Sequence, residues 1–347
     1  MAHRLLKACK REVVDKTPVW LMRQAGRYMK EYWTFRDKYG FLEMVKIPEV
    51  AAQITMQPVN AYDLDAAIIF QDLLPILEPM GLELEYRKGE GPVFLNPIRS
   101  ATDVDALKPC EAESTMDFTR GAIQETLSLL DGRMPLIGFA GAPFTLACYA
   151  IEGGSSRSYT IAKSMMYGET KVWHRLMEKM SKAITEYLLL QVDAGVHVVQ
   201  VFDSWVGALS PSDYREFVLP HTKEAIQAVK AQTDIPLIHF GTGTAGFLPL
   251  LKEAGGDVIG VDWRYDLATA WDQLGDDVGV QGNLDPVVLF SPFEEVKRQT
   301  ARILDSVKDR PGHIFNLGHG ILQHTPVENV RQLVVFVHSY TGGGDGG

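Results

Sequence analysis

Eight short apolar segments recur along the chain, and most are separated by amphipathic segments long enough to form one or more helices. The apolar segments lie at residues 19–22, 66–70, 136–139, 196–202, 237–240, 258–261, 278–280 and 314–317. Between them, apolar residues recur at helical spacing in residues 171–192, 214–231 and 293–307. Strands that alternate with helices form a parallel sheet, so the pattern predicts an α/β fold with a parallel core of eight strands.

Polar or small residues follow each of these apolar segments. Arg23 follows the first directly, while Asp72, Ser204 and His319 come two residues after the second, fourth and last. A closed barrel gathers all strand ends into one mouth, whereas an open, doubly wound sheet spreads them along a line. We therefore predict a single (β/α)8 TIM barrel over residues 1–340 with its site at the mouth, and a flexible glycine-rich tail at residues 341–347.

Two helix starts carry capping signals. Thr325-Pro326-Val327-Glu328 has the form of a capping box with proline in the first helical position, and Ser210-Pro211-Ser212-Asp213 repeats the arrangement. Both sequences predict that a helix begins directly after the hydroxyl residue.

The charge balance limits the partners of the chain. Its formal net charge of −10 argues against binding to nucleic acid or to an anionic membrane surface, so we expect a small-molecule ligand. No segment approaches the roughly 20 apolar residues needed to cross a bilayer, and we expect a cytoplasmic protein, or a plastid one if a transit peptide preceded residue 1. Cys9, Cys110 and Cys148 are too few and too scattered for a disulfide framework or a zinc site, so no metal is expected.

A pair of arginines stands out in this acidic chain. Arg23 and Arg27 lie four residues apart, directly after the first apolar segment. A guanidinium group binds planar carboxylates or phosphates through two parallel hydrogen bonds, so the pair indicates an anionic ligand. The alternative, on these residues alone, is a pair of salt bridges at the end of a strand.

Residues 241–246 match the glycine pattern of a dinucleotide-binding turn, with Asp262 about 20 residues further on. This pattern would fit an NAD-dependent oxidoreductase. In that class, however, the glycines follow the first strand of a six-stranded sheet, whereas here they follow the fifth apolar segment. A tight turn between a strand and a helix is therefore the favoured interpretation.

Five sequence motifs, in order and at predicted strand ends, are PVWLMRQAGRY, FAGAPFTLACYAIEGGSS, FDSW, QGNLDP and FNLGHGI. Together they resemble the uroporphyrinogen decarboxylase family along nearly the whole chain. The resemblance implies a cofactor-free barrel enzyme of haem and chlorophyll synthesis that forms a homodimer. Its reaction converts the four acetate side chains of uroporphyrinogen III to methyl groups, which gives coproporphyrinogen III and four CO2. Alternatives are a tetrapyrrole-binding protein without catalysis and a corrinoid methyl transferase, which would need zinc-binding thiolates that this chain lacks.

The resemblance also assigns site residues. It implies that the segment 23–27 grips the substrate and that further residues complete the site; the full set is Arg23, Gln24, Ala25, Gly26, Arg27, Asp72, Tyr149, Ser204 and His319, with Arg36 and Phe202 as weaker candidates. Taken alone, Asp72 and Ser204 could be helix N-caps, and Tyr149 could be a packing residue. The glycines on both sides of His319 would let a ligand approach the backbone closely.

Asp72 and Arg23 are the expected catalytic residues. A protonated pyrrole ring can accept the electrons that a departing carboxylate leaves behind, and Asp72 is the carboxylate expected to stabilise the resulting cation. Arginine is almost never deprotonated, so the proton donor stays open among an arginine, His319 and a held water.

Overall fold

The computed structural model describes residues 3–341, and within them the chain forms an α/β structure. The strands are β1 (Ala67–Ile68), β2 (Leu84–Arg87), β3 (Gly91–Phe94), β4 (Leu136–Gly141), β5 (Val198–Asp203), β6 (Leu237–Gly241), β7 (Val258–Gly260), β8 (Gly279–Gln281) and β9 (His313–Ile314). The helices are α1 (Arg4–Cys9), α2 (Lys30–Arg36), α3 (Phe41–Lys46), α4 (Pro48–Ala61), α5 (Ala101–Ala106), α6 (Ala112–Thr115), α7 (Asp117–Leu130), α8 (Pro143–Glu152), α9 (Thr160–Gly168), α10 (Thr170–Ala194), α11 (Pro211–Phe217), α12 (Leu219–Lys230), α13 (Leu248–Ala254), α14 (Leu267–Leu274), α15 (Phe293–Ser306) and α16 (Val327–Ser339). Apart from Thr341, the predicted tail lies outside the described residues.

One parallel sheet organises the fold. Its strands follow the order β1-β4-β5-β6-β7-β8-β9, and β2 pairs with β3 in a separate antiparallel hairpin. All six pairings in the large sheet are parallel, so its carboxyl ends lie along the same edge. The second to eighth predicted segments supply these seven strands, which confirms the α/β fold and the parallel core.

The first predicted strand is wrong. Val19 alone pairs with Phe315 next to β9, by a single parallel bridge. On its other side, the Val19 N–H donates to Asp65 Oδ2 at 2.7 Å and its carbonyl accepts from the Asp65 N–H at 2.9 Å. The Leu21 N–H donates to the side chain of Gln24. Side chains therefore satisfy backbone groups that a neighbouring strand would otherwise satisfy, and the described sheet has seven strands rather than the predicted eight.

The amphipathic segments form helices, as predicted, with one division. Helices α10 and α15 cover the segments 171–192 and 293–307. The segment 214–231 is split between α11 and α12, because Val218 leaves the helical conformation (φ −126°, ψ −50°) and a proline occupies the first turn of α12.

The two capping predictions have different outcomes. The Ser210 hydroxyl accepts the N–H of Asp213 at the start of α11, which confirms the cap there. At α16 the prediction is wrong by one residue, since the helix begins at Val327 and Pro326 occupies the N-cap position without a side-chain hydrogen bond. The Pro326 carbonyl accepts the first helical bond, from the Val330 N–H.

Two hydrogen bonds between buried side chains connect the segment around Trp20 to the parallel sheet. Trp20 Nε1 donates to Gln281 Oε1 at 2.9 Å, and Gln281 Nε2 donates to Gln200 Oε1 at 3.3 Å. These fully buried side chains join segment 18–20 to strands β5 and β8 beneath the carboxyl edge. No helix within residues 3–341 is long and apolar enough to cross a membrane.

Candidate active site

A tight turn directs Arg23 away from the core. The Gln24 N–H donates to the Leu21 carbonyl at 2.9 Å, and Arg23 adopts a left-handed conformation with φ 61°. The Gln24 side chain is fully buried and bonded to the backbone of Leu21 and of Ala66. Its amide group is therefore used to hold the turn, while Arg23 and Arg27 are exposed and Ala25 and Gly26 are partly exposed.

Gly318 and Gly320 make room for protein groups. A Cβ atom at Gly320 would overlap the Arg23 side chain at Cδ, and one at Gly318 would overlap the backbone of Trp263. The glycines on either side of His319 thus allow Arg23 and Trp263 to approach the His319 backbone, rather than leaving space for a ligand as the sequence suggested.

His319 lies between these two neighbours. Burial, helped by the nearby Arg23 and Arg264 cations, lowers the pKa of its imidazole to about 4, while Asp262 acts in the opposite direction. The ring packs edge-on against Trp263, with the ring centres 6.1 Å apart. At neutral pH the imidazole is therefore uncharged, so one of its nitrogens donates a hydrogen bond and the other accepts one.

Asp72 lies after β1, next to a tyrosine that was not singled out from the sequence. Burial raises the pKa of its carboxyl, and the Tyr86 hydroxyl, the Leu74 N–H and the Arg23 cation act against that increase. Asp72 Oδ1 accepts the Leu74 N–H at 3.0 Å. The following 3-10 turn, Pro75–Leu77, has Leu74 as its N-cap, so Asp72 is not the N-cap itself.

Tyr149 comes from α8 and faces the same group of charges. Its ring stacks on Trp205, with the ring centres 3.8 Å apart. Burial raises the pKa of the Tyr149 hydroxyl to about 12, with Asp72 raising it further and Arg23 lowering it. Arg23 therefore interacts with Asp72, Tyr149 and His319, so four predicted site residues, Arg23 included, come together here.

Phe202 and Ser204 lie at the end of β5. The Phe202 ring packs edge-on against Phe139 and Phe240, at 5.4 Å and 5.9 Å between ring centres. Ser204 is partly exposed, and its hydroxyl has no hydrogen-bond partner in the described part of the chain. The 3-10 turn that follows starts after Trp205 without a side-chain cap, so a capping role for Ser204 is not supported.

Arg27 and Arg36 flank the site from the side of α2. Both cations lower the pKa of Tyr32, against a larger increase from burial. Tyr32 packs against Phe70, which precedes Asp72 by two residues, with ring centres 6.0 Å apart. One Arg36 nitrogen donates to the Tyr39 carbonyl at 2.9 Å.

The salt-bridge interpretation of the arginine pair is not supported. For residues 3–341, no carboxylate lies within 4.0 Å of a guanidinium nitrogen of Arg23, Arg27 or Arg36. Guanidinium groups without a carboxylate partner are available to an anionic ligand.

Sequence reasoning missed Tyr86, Trp205 and Arg264. Arg264 lies over the Trp263 ring at 3.9 Å and pairs with Asp262 at 2.5 Å, beside His319. Trp205 stood inside a quoted motif, and Arg264 came directly after a noted strand end. A sequence signal for the strand that carries Tyr86 was present: Leu82, Leu84 and Tyr86 alternate with polar residues before a turn that contains Gly89 and Gly91.

In the turn at residues 241–246, which resembles a dinucleotide-binding turn in sequence, the backbone contacts other parts of the protein. The Gly243 N–H donates to Asp262 Oδ2 at 2.6 Å, so the carboxylate that would bind a ribose already has a protein partner. Gly243 has φ 73° and packs against Gly207, and the next helix starts only at Leu248. This geometry favours the interpretation as a tight turn.

Among the described residues, no group of three or more His, Cys, Asp or Glu side chains is arranged to hold a metal ion.

Known proteins resemble the chain along its length. The family model described as uroporphyrinogen decarboxylase (URO-D) matches residues 1–340. A relative named uroporphyrinogen decarboxylase from Roseiflexus sp. (strain RS-1) is 56% identical over 346 residues, covering 98% of this chain and 99% of the relative. A second, of the same name, from Chloroflexus aurantiacus (strain ATCC 29366 / DSM 635 / J-10-fl), is 55% identical and covers 98% of this chain and 96% of its own length.

A solved structure shares the fold. A methyltransferase from Methanosarcina mazei superposes with a TM-score of 0.75 and 19% identity, covering 96% of this chain and 97% of that protein. At this identity the similarity concerns the fold alone.

Proposed function

The chain belongs to the uroporphyrinogen decarboxylase family, and we propose that it decarboxylates uroporphyrinogen III at the carboxyl edge of its parallel sheet. The four acetate side chains become methyl groups, which yields coproporphyrinogen III and four CO2 for porphyrin synthesis. The observation that carries this assignment is the Arg23 guanidinium, free of carboxylate partners in residues 3–341 and close to Asp72, Tyr149 and His319. Such a site suits a ligand that bears many carboxylates and a central group of N–H donors.

The substrate supplies the electron sink. A proton adds to the ring carbon next to the one that bears the acetate arm, and the positive charge spreads over the ring onto its nitrogen. The bond between the acetate methylene and its carboxylate then breaks, its electrons enter the ring, and CO2 leaves. A second proton is taken up at the exocyclic carbon, which completes the methyl group. The first proton then leaves the ring carbon and restores the pyrrole, so one proton is consumed for each CO2 released.

Asp72 is the group that stabilises the cationic ring. Its carboxylate accepts hydrogen bonds from the pyrrole N–H groups, which replace the water lost on burial and favour the ionised form. A pair of unit charges about 4 Å apart at an effective dielectric constant near 20 gains ~4 kcal/mol. A barrier lower by that amount corresponds to about three decades in rate.

The basic residues hold the carboxylates of the substrate. Arg23 and Arg27 bind acetate or propionate groups, and Arg264, which is half-exposed, extends the same surface beyond His319. The low pKa of His319 makes it a neutral hydrogen-bond donor at physiological pH. Tyr149 and Ser204 donate hydroxyl hydrogen bonds, and Arg36 and Phe202 form the margin of the site.

The same proposal covers the wider organisation of the protein. Residues 1–340 form one barrel domain in which segment 18–20 takes the place of the eighth strand. The hydrogen bonds of Val19 and Trp20 to Asp65 and Phe315 support this. A cytoplasmic homodimer follows from the family resemblance. The apolar side chains of Val287, Phe290 and Leu322 are exposed and available for contact with a second copy.

One incubation tests the activity. The purified chain is incubated anaerobically with uroporphyrinogen III, the products are oxidised to porphyrins, and the remaining carboxyl groups are counted by mass spectrometry. We expect the octacarboxylate to be converted to a tetracarboxylate. A quantitative recovery of octacarboxylate would contradict the proposed function, and binding without turnover would favour the tetrapyrrole-binding alternative.

The variant Arg27→Lys tests whether the Arg27 guanidinium binds a carboxylate of the substrate. A lysine keeps the positive charge but loses the two-pronged geometry, so KM should rise by about tenfold with little change in melting temperature. Steady-state kinetics and thermal unfolding of the two proteins measure this. An unchanged KM together with a lower melting temperature would return Arg27 to a structural role.

A further inference from the structure

The hairpin β2–β3 brings a tyrosine hydroxyl to Asp72. The hairpin is tied to the loop after α8 by a bridge between Val93 and Gly154 and by a hydrogen bond from the Phe94 N–H to the Gly153 carbonyl at 2.9 Å. The position of the hairpin relative to α8 is thereby fixed, and the Tyr86 hydroxyl interacts with both Asp72 and Tyr149.

The ring of Tyr86 is held by aromatic packing. Its ring centre lies 4.6 Å from that of Phe41, and Phe41 packs in turn edge-on against Phe70 at 6.0 Å. Phe70 precedes Asp72 by two residues. The packing therefore aligns the tyrosine with the end of the strand that carries the carboxylate.

The hydroxyl of Tyr86 is buried and has no hydrogen-bond partner of normal geometry in residues 3–341. The carboxylate of Asp72 is the group that interacts most strongly with it. A buried hydroxyl without a partner is costly, so the side chain has a reason to face Asp72 that packing alone does not supply.

We propose that Tyr86 is a positioning residue for Asp72, whose hydroxyl donates to the carboxylate and keeps it ionised and oriented toward the pyrrole nitrogens. This inference rests on the proposed function. The Tyr86 hydroxyl then holds the carboxylate from the protein side together with the Leu74 N–H, and the Leu73 N–H favours the same charged form. The remaining lone pairs stay available to the substrate.

Other groups also act on this carboxylate. The Arg23 cation favours its charged form, and the hydroxyls of Tyr149 and Tyr187 lie close enough to interact with it from α8 and α10. Tyr86 itself is also near Glu78, which pairs with Lys46 at 2.7 Å. The backbone N–H groups of Leu74 and Leu73 also favour the ionised form. Among the side chains that act on the carboxylate, the Tyr86 hydroxyl lowers its pKa most, so removing that hydroxyl should weaken the ionised form directly.

The variant Tyr86→Phe removes the hydroxyl and keeps the ring on Phe41. Losing one hydrogen-bond donor raises the pKa of the Asp72 carboxyl. Because the ionised carboxylate is the active form in this account, the acid limb of the pH profile of kcat/KM should move to higher pH by roughly one unit. On the alkaline side of that limb, KM should stay within about twofold of the wild-type value. The matched control is Tyr214→Phe, another buried tyrosine whose hydroxyl has no partner in the described chain but whose charged neighbours are Asp203 and Glu253.

A second measurement does not depend on activity. In protein labelled with 13C at aspartate carboxyl groups, the Asp72 resonance is assigned by its loss in Asp72→Asn, and its titration is followed by NMR. We expect it to titrate at higher pH in Tyr86→Phe and at the wild-type pH in Tyr214→Phe. Superimposable titrations of wild type and Tyr86→Phe would overturn the proposal and leave Tyr86 as a packing residue. A shifted titration in a protein that leaves uroporphyrinogen unchanged would instead support the pairing and refute the proposed function.

Discussion

Asp72→Asn should keep the fold and lower kcat by about two to four decades, because the amide cannot balance the positive charge of the protonated ring. The amide oxygen can still accept the Leu74 N–H, so the turn before the 3-10 helix should remain intact. Single-turnover kinetics would separate this loss in the chemical step from any change in substrate binding.

Asp203→Asn is a matched control for the loss of a buried carboxylate. Burial raises the pKa of Asp203 to about 7, and its Oδ1 accepts the Thr145 hydroxyl at 2.9 Å, which an amide oxygen can also do. We expect kcat of this variant to stay within about threefold of wild type. A near-normal kcat in Asp72→Asn would remove the counter-ion role.

Arg23→Gln should lower kcat/KM by about 10- to 100-fold, because a hydrogen bond to a charged group typically contributes about 1.5–3 kcal/mol. No carboxylate within residues 3–341 lies within 4.0 Å of the Arg23 guanidinium, so its loss breaks no salt bridge, and we expect the melting temperature to stay close to the wild-type value. Steady-state kinetics and thermal unfolding measure the two effects.

The same variant has a second readout at His319. The Arg23 cation is one reason why the pKa of His319 is lowered to about 4, so removing the cation should raise that pKa. An NMR titration of the imidazole would detect the increase without substrate. An unchanged titration would show that Arg23 does not lie beside His319, and an unchanged kcat/KM would show that it does not hold the substrate.

Much of the fold could be predicted because apolar segments and helical spacing carry the main signal for a parallel α/β sheet. The prediction of a strand at residues 19–22 failed because the side chains of Asp65 and Gln24 accept hydrogen bonds from the backbone N–H groups of Val19 and Leu21. Such local competition between side chain and backbone does not change the apolar pattern. The hairpin β2–β3 was missed because its alternation covers only a few residues.

The candidate site could be anticipated where its residues directly follow strands. Asp72 follows β1 and His319 follows β9, and strands of a parallel sheet bring their carboxyl ends to the same edge. Arg23 reaches this edge although its segment is not a strand, because Val19 forms a parallel bridge with Phe315 next to β9. Tyr86 could not be anticipated in this way, since a hairpin inserted after β1 carries it back to Asp72. Trp205 and Arg264 act through stacking on Tyr149 and Trp263, and such contacts depend on side-chain geometry.

The most direct test of the central claim is an anaerobic crystal structure of the chain with coproporphyrinogen III, in which the distances from Asp72 Oδ1 and Oδ2 to the four pyrrole nitrogens are measured. We predict separations of about 2.7–3.2 Å, as in N–H···O hydrogen bonds. An Asp72 side chain that turns away from the nitrogens in the bound complex would contradict the account.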